Sequence, residues 1–519
     1  MTVTVTDPHA STRDDAPTHR GGWTWRLRRG FWNRLTVFKY EHQKPTPIAE
    51  PTRPDPSFSM VPLNSVYPSI PITRLAVAAT VPDDEAAPLK QRFTKVQGFI
   101  DSRWPLTRPG LPEIPADAEA ALDRAFTTRH RRCYPAPERT TADLGELAVA
   151  SPYASYLEAR DDGTFAWDLS VLTEFDAQQG LVRLGATVIF ERDPDARRVH
   201  PVRIDSAAGS STPDSPDWES ATRLAMCSIT THASLVRHFN FLHLTSGAPL
   251  EAATRRRLAA RHPVRRLLWP HVFGTHASND FVTEIQMKPG GDFESIFGLT
   301  QHGFCELFEA TAADFDLAMI NPVTDAARRG IDTLDCPAHD NRTALYQAML
   351  AHTSRYLDLY YASDDDVAND QALGEWLADV DSSIANGIRG VCGGSIGLDA
   401  LATLTATIIY LATVEHEITG TGLWDYQLWP DVSPVRIYED GRRLPVDVYQ
   451  HSVNANLNLN SHRLMLLDDR IPMIAGDAHG EDAMRRFQQD LLALQSELDR
   501  SPAAPWRLEP RLLKANINA

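Results

Sequence analysis

Apolar positions change their spacing along this chain, and each change predicts a different element. From about 145 to 205 hydrophobic and polar residues alternate, with turn signals at Asp161-Asp162-Gly163 and at Gly180 and the clearest strand in GATVIFER. That segment reads as a small antiparallel element. After a Gly, Ser and Pro loop at 207–216 the spacing becomes helical. Ser215 followed by Pro216 suits a helix start, Asp217 and Glu219 complement the positive end of the dipole, and the pattern runs on to Gly247. Further helices are predicted near 250–261, 303–320, 341–361, 368–382, 398–420 and 480–499. The one at 398–420 is apolar on all sides and should be buried. The fold class is therefore mainly α, with long buried helices and a small antiparallel β element.

With 519 residues, 43% of them hydrophobic, the chain can bury a large core, and it shows no internal repeat. Residues 1–70 are polar, then aromatic and basic, then proline-rich, as in an arm that wraps a body formed by residues 71–519. Trp23, Trp25, Phe31 and Trp32, interleaved with arginine, suit packing on that body or peripheral membrane contact. A formal charge of -17 argues against nucleic acid as a partner. The five cysteines stand apart, with no Cys-x-x-Cys spacing, so neither a disulfide framework nor a zinc ribbon is indicated. No transmembrane segment or export signal is expected: the stretch RRGFWNRLTVFKY has paired arginines, but Arg34, Lys39 and Glu41 interrupt any apolar region after them. A cytoplasmic location fits.

The chemistry concentrates in THASLVRHFNFLHL, which carries His232, His238 and His243, and in the apolar run LATLTATIIYLATVEHEITG, which carries His416. Neutral imidazole is the commonest ligand for a redox-capable metal, and an imidazole in an apolar run needs a partner. Residues five apart lie about 140° apart on a regular α-helix, whereas a π-turn brings them onto one face. His238 and His243 have that spacing; His232 and His238, six apart, fit less well. Any one of these histidines could simply pack or cap. Gly420, one turn beyond His416, offers no side chain.

These residues resemble the lipoxygenases. Trp218, Ala221, His238 and His243 match the register of that family's metal helix, and HPVRRLLWPHVFGT is similar to the segment that follows it. SPYASYLEARDDGTFAWDL, ALYQAMLAHTSRYLDLYY, TATIIYLATVEHEITG and the terminal PWRLEPRLLKANINA resemble further family blocks, in order, over roughly residues 71–519. The resemblance implies a mononuclear non-haem iron, less often manganese, with His238 and His416 as the first ligand assignments and the carboxylate of Ala519 as the oxygen ligand. His232 is the next candidate if a helix irregularity absorbs one residue. His243 is its rival on spacing, although the resemblance places the matching histidine outside the coordination sphere. The chain departs from the family at Ala233, where a histidine is expected, at Gly420, at Ala515 and at the terminal alanine. It also leaves no room for the β-barrel that precedes the catalytic domain in plant and animal members.

The implied activity is oxygenation of a lipophilic or specialised small molecule by dioxygen after hydrogen-atom abstraction. A metal-free binding or scaffolding protein on the same fold is the alternative. Thr413 and Ile409, one and two turns before His416, stand at pocket or packing positions, with packing favoured; Glu415 and Glu417 could hydrogen-bond a ligand or substrate, although adjacent helix positions point away from His416. The glycine-rich GVCGGSIG reads as a loop entering the buried helix, and Asp364-Asp365-Asp366 as solvated surface at a helix start.

Overall fold

The computed structural model describes residues 53–86, 143–193, 198–394, 396–420, 423, 426–427, 433–440, 465–468, 475–502 and 506–517. The helical spacing that begins near Ser215 is realised as one unbroken rod. It is α-helical over Trp218–His232, π-helical over Ala233–Gly247 and α-helical again over Ala248–Arg257. The expected stop at Gly247 does not occur, because this glycine keeps a helical φ of -59° and serves a close approach instead. A Cβ there would stand 2.5 Å from the Leu242 carbonyl oxygen and 2.9 Å from Ile517 Cδ1.

The apolar helix predicted at 398–420 is Leu398–Tyr410, a π-turn over Leu411–Glu415 and a last turn at His416–Thr419. It is flanked by Pro337–Leu357, which also packs on Ala478–Arg500. Leu401, Leu404, Ile408, Ile409 and Leu411 are all buried, as a helix with no polar face requires. By length and composition the Leu398–Thr419 helix could cross a membrane, yet 78% of its most apolar window is buried inside the protein. Its apolar character is that of a core element.

Five strands form the antiparallel element, in the order β3 (Glu158–Ala159), β4 (Phe165–Asp168), β5 (Ala186–Arg192), β6 (Val199–Ser206) and β7 (Gly209–Ser211). The turn at Asp161-Asp162-Gly163 joins β3 to β4, with Gly163 at φ +84°. The GATVIFER strand is central, and Trp167, Val188, Phe190 and Ile204 turn into the core. Alternation before residue 157 has a different outcome. Asp143 caps a helix at Leu144–Val149, buried except at Glu146, and Pro152 opens a buried 3-10 turn to Tyr156, so the apolar positions there belong to short helical elements rather than to a strand.

A two-stranded sheet pairs β1 (Met60–Pro62) with β2 (Ala76–Ala78), and Leu63 and Ile70 are buried. Residues from Met60 onward thus pack with the body. Trp23, Trp25, Phe31 and Trp32 lie outside the described residues. Cys227, Cys305, Cys336 and Cys392 are free thiols in the interior.

Candidate metal centre

Two helices that are distant in sequence meet where each leaves α-helical pitch. In the π-helical stretch the hydrogen-bonding repeat lengthens to i→i+5, which superimposes residues five apart on one face. His238 and His243 therefore project together, and the turn after Leu411–Glu415 presents His416 to them. The ring centroids lie 4.9 Å apart for His238 and His243, 4.8 Å for His238 and His416, and 5.1 Å for His243 and His416. One ligand atom from each falls within 4.8 Å of the others, and all three side chains are buried. Among the described residues this is the one grouping of its kind.

The hydrogen-bond network assigns the tautomers. Thr419 Oγ1 donates its proton to the Glu415 carbonyl at 3.0 Å, so towards His238 Nδ1, at 3.2 Å, it can only accept. Asn279 is oriented by its Nδ2, which donates to the His243 backbone carbonyl at 2.9 Å; its Oδ1 then faces His243 Nδ1 at 3.3 Å. Both rings are accordingly protonated on Nδ1 and turn the Nε2 lone pair inward. His416 Nδ1 lies 4.0 Å from Glu417 Oε1, which favours the same tautomer.

Three inward Nε2 atoms then converge, with His243 Nε2 3.3 Å from that of His238 and 3.2 Å from that of His416. Lone pairs gathered so closely in a low-dielectric interior repel one another unless an electrophile sits between them. A metal cation fits that requirement. Imidazole nitrogen alone suits iron, zinc, copper or nickel, so the donor set defines a transition-metal site without choosing the ion.

Phe239 and His243 stack at 5.7 Å, Phe239 meets Phe293 at 4.6 Å, and Phe293 meets Phe304 at 5.5 Å. The cluster is thereby walled on one side by apolar rings. Gly420 lies against the cluster as well. A Cβ there would stand 2.6 Å from the His416 carbonyl oxygen and 3.1 Å from His238 Cε1. The position that lacks a side chain is filled by the His238 ring.

The remaining candidates separate clearly. His232, on the last α-turn before the π stretch, has its Nδ1 2.8 Å from the Tyr156 hydroxyl and stands apart from the three-histidine cluster. Thr413 and Ile409 are fully buried and bonded to one another, Oγ1 to carbonyl at 2.7 Å, so they pack. Glu415 forms a buried ion pair with Arg342 at 2.7 Å, and Glu417 one with Lys514 at 3.0 Å. Ala519 lies outside the described residues. The segment before it is buried from Leu513 to Ile517, with the Ala515 carbonyl 2.6 Å from His271 Nδ1 and Ile517 against Gly247.

Sequence reasoning missed Asn279, Thr419 and Lys514. Nothing in local spacing marks the first two. Lys514 did carry a signal, since a lysine amid LLKANINA needs an acid to be buried.

Against known proteins, the model of the Lipoxygenase family matches residues 191–438, a span that contains all three clustered histidines. Over that stretch, a little under half of its length, the chain is similar to the lipoxygenases. The chain is 27% identical over 292 residues to the mouse (Mus musculus) polyunsaturated fatty acid lipoxygenase ALOX8, covering 51% of this chain and 43% of that protein. It is 28% identical over 209 residues to a linoleate 9/13-lipoxygenase of Pseudomonas aeruginosa, covering 38% and 29%. The chain thus spans less than half the length of these relatives. Among solved structures, a calcium-dependent 11R-lipoxygenase superposes with a TM-score of 0.73 at 14% identity, over 94% of this chain and 80% of that one. A coral 8R-lipoxygenase does so with a TM-score of 0.69 at 15% identity, over 97% and 82%. At such identities the structural likeness speaks for the lipoxygenase fold alone.

Proposed function

We propose that this domain is a non-haem iron oxygenase of lipoxygenase type, which oxidises a lipophilic or specialised small molecule with dioxygen. The observation that carries the reading is the convergence of three Nε2 lone pairs from His238, His243 and His416 in a buried, ring-walled site. The names of the relatives, polyunsaturated fatty acid and linoleate lipoxygenases, favour a polyunsaturated lipid as the substrate class. Bound iron, or manganese in its place, would supply the one-electron chemistry for hydrogen-atom abstraction that no amino-acid side chain offers at rest.

The chain's own residues do the rest. Asn279 and Thr419 keep a proton on each Nδ1, so the ligating nitrogens stay basic and correctly turned. Phe239 and Phe293 exclude water from one side of the site. The buried Lys514–Glu417 pair ties the terminal segment to the third-histidine helix. The proposed oxygen ligand is the carboxylate of Ala519, and residues 71–519 are the proposed catalytic domain. Buried free thiols support a reducing, cytoplasmic setting.

The test is metal analysis of the purified protein together with oxygen uptake on linoleic acid. One iron per chain and uptake that requires it are expected. Folded protein that binds the lipid while holding no metal would replace this reading with the binding-protein alternative.

A further inference from the structure

The helix Thr275–Val282 carries Asn279, whose side chain orients His243, yet its own start lacks the usual cap. Gly274 precedes it with φ +89° and offers no side chain to the free N–H groups of the first turn. Two glutamates from elsewhere take them. Glu251, on the section Ala248–Arg257 of the rod, accepts from the Gly274 N–H at 3.4 Å and the His276 N–H at 3.3 Å, and Glu85 accepts from the Ala277 N–H at 3.0 Å. Glu85 belongs to the segment 53–86, whose Asp55 N–H also meets the Arg255 carbonyl at 3.0 Å and whose Tyr67 hydroxyl donates to Asp280.

Glu85 and Glu251 are both buried, and they meet around one guanidinium. Arg255 Nη2 reaches Glu85 Oε1 at 2.6 Å and Glu251 Oε1 at 3.2 Å, while its Nη1 pairs with Asp84 at 3.0 Å. The two carboxyls also hydrogen-bond one another, which two carboxylates cannot do without a proton between them. Charge calls for the same proton. Asp84, Glu85 and Glu251 face two cations, Arg255 and, from the helix Pro263–Val272, Arg265. His276 brings no third: burial holds it down at about 4, its ring nitrogens meet no hydrogen-bond partner, and Nε2 stands 3.9 Å from Glu251. Arg256 is engaged by Asp379 at 2.6 Å. Burial first, and the charge of Glu251 second, accordingly raise the Glu85 carboxyl well above the usual carboxylate range.

We propose that Glu85 is a positioning residue: sharing one proton with Glu251, it latches the segment 53–86 onto the start of Thr275–Val282 and so steadies Asn279 against His243. Asn279 follows His276 by one helical turn, so what holds the first turn holds Asn279. The latch stands without the oxygenase reading, and only its consequence for iron rests on it. Opening lets Glu85 ionise at its ordinary value. Closure therefore weakens as pH rises, by up to about tenfold per unit, until the closed carboxyl ionises as well. His276 acts in the opposite sense below about pH 6.5, because opening lets it take up a proton.

Hydrogen exchange of peptides from residues 55–85, read by mass spectrometry between about pH 5 and 9, compares the full chain with Glu85→Gln, which keeps a neutral donor towards Glu251. Taking the ratio at each pH cancels intrinsic exchange and the His276 contribution alike. Exchange in the unaltered protein should gain on the variant by up to about tenfold per pH unit, and a ratio constant over the range overturns the shared proton. Competition for ferrous iron against a calibrated chelator under nitrogen reads the second step. Glu85→Ala should hold iron about tenfold more weakly and Glu85→Gln near the native affinity; equal affinity in all three overturns the positioning role. Should the variants fail to fold, the unaltered protein decides. Above about pH 6.5 its exchange over residues 55–85, corrected for intrinsic rate, should rise relative to that of Leu398–Tyr410, and a parallel course overturns the latch. Protein that shows this pH dependence yet is purified without iron would retain the latch and discard the oxygenase.

Discussion

Replacing Asn279 by alanine tests whether the proton pattern around the cluster, rather than packing alone, makes it a metal site. The substitution removes two hydrogen bonds to His243, the 2.9 Å contact to its carbonyl and the 3.3 Å contact to its Nδ1. The carbonyl keeps the backbone N–H of Ala248, so its loss is partial. The buried Nδ1–H loses its acceptor outright, and a buried donor left without a partner costs about 1–3 kcal/mol. To recover a partner the ring must rotate or shift its proton to Nε2, and either change removes the lone pair from the centre. Loss of such a hydrogen bond typically weakens metal binding about 10- to 100-fold. The assay is competition for ferrous iron against a calibrated chelator under nitrogen, with denaturant unfolding of the metal-free protein alongside. Asn279→Asp separates the effects. It retains an acceptor for Nδ1 but turns a carboxylate oxygen towards the His243 carbonyl, so it should lose stability while holding iron near the native affinity. If both variants lose stability alike and neither loses iron affinity, the tautomer argument fails.

Other consequences can be checked on the same protein. His238→Ala, His243→Ala and His416→Ala should each abolish stoichiometric iron, whereas His232→Ala should retain it, because that ring belongs to Tyr156; metal analysis of the four variants decides. Gly420→Asn should weaken iron binding in the same chelator assay, since its Cβ would press on the His416 carbonyl and His238 Cε1; tighter binding would show that a ligand had been added instead. The proposed Ala519 ligand predicts that residues appended after it lower iron occupancy without lowering the melting temperature of the metal-free protein. Finally, burial holds His271 and His276 down at about 4 and His232 and His352 at about 3. The unfolded chain binds these protons from about pH 6.5 downward while the folded chain does not, so stability should fall on acidification from pH 6.5 towards 4. His352, stacked on Phe487 at 4.3 Å, isolates one share of this: His352→Phe should flatten the slope by up to about 1 kcal/mol per pH unit, and an unchanged slope would refute the assignment.

Why some of this was legible in the sequence and some was not follows from which interactions are local. The buried character of Leu398–Thr419 and the central strand at Ala186–Arg192 are written in runs and alternation, which neighbouring residues suffice to express. The register of the rod is not so written. Fifteen consecutive π-helical residues, Ala233–Gly247, lie outside what propensity anticipates, because propensity describes the α-helix and π pitch usually occurs as single turns. That pitch decides the choice left open between His232 and His243 in favour of the residue five positions from His238. An irregularity that shifted the register by one residue would have chosen His232, but the change of pitch begins immediately after it. A variant that restored α-helical pitch across Ala233–Gly247 would therefore turn His238 and His243 about 140° apart and lose iron, while His232, on the preceding α-helix, would keep its contact with Tyr156.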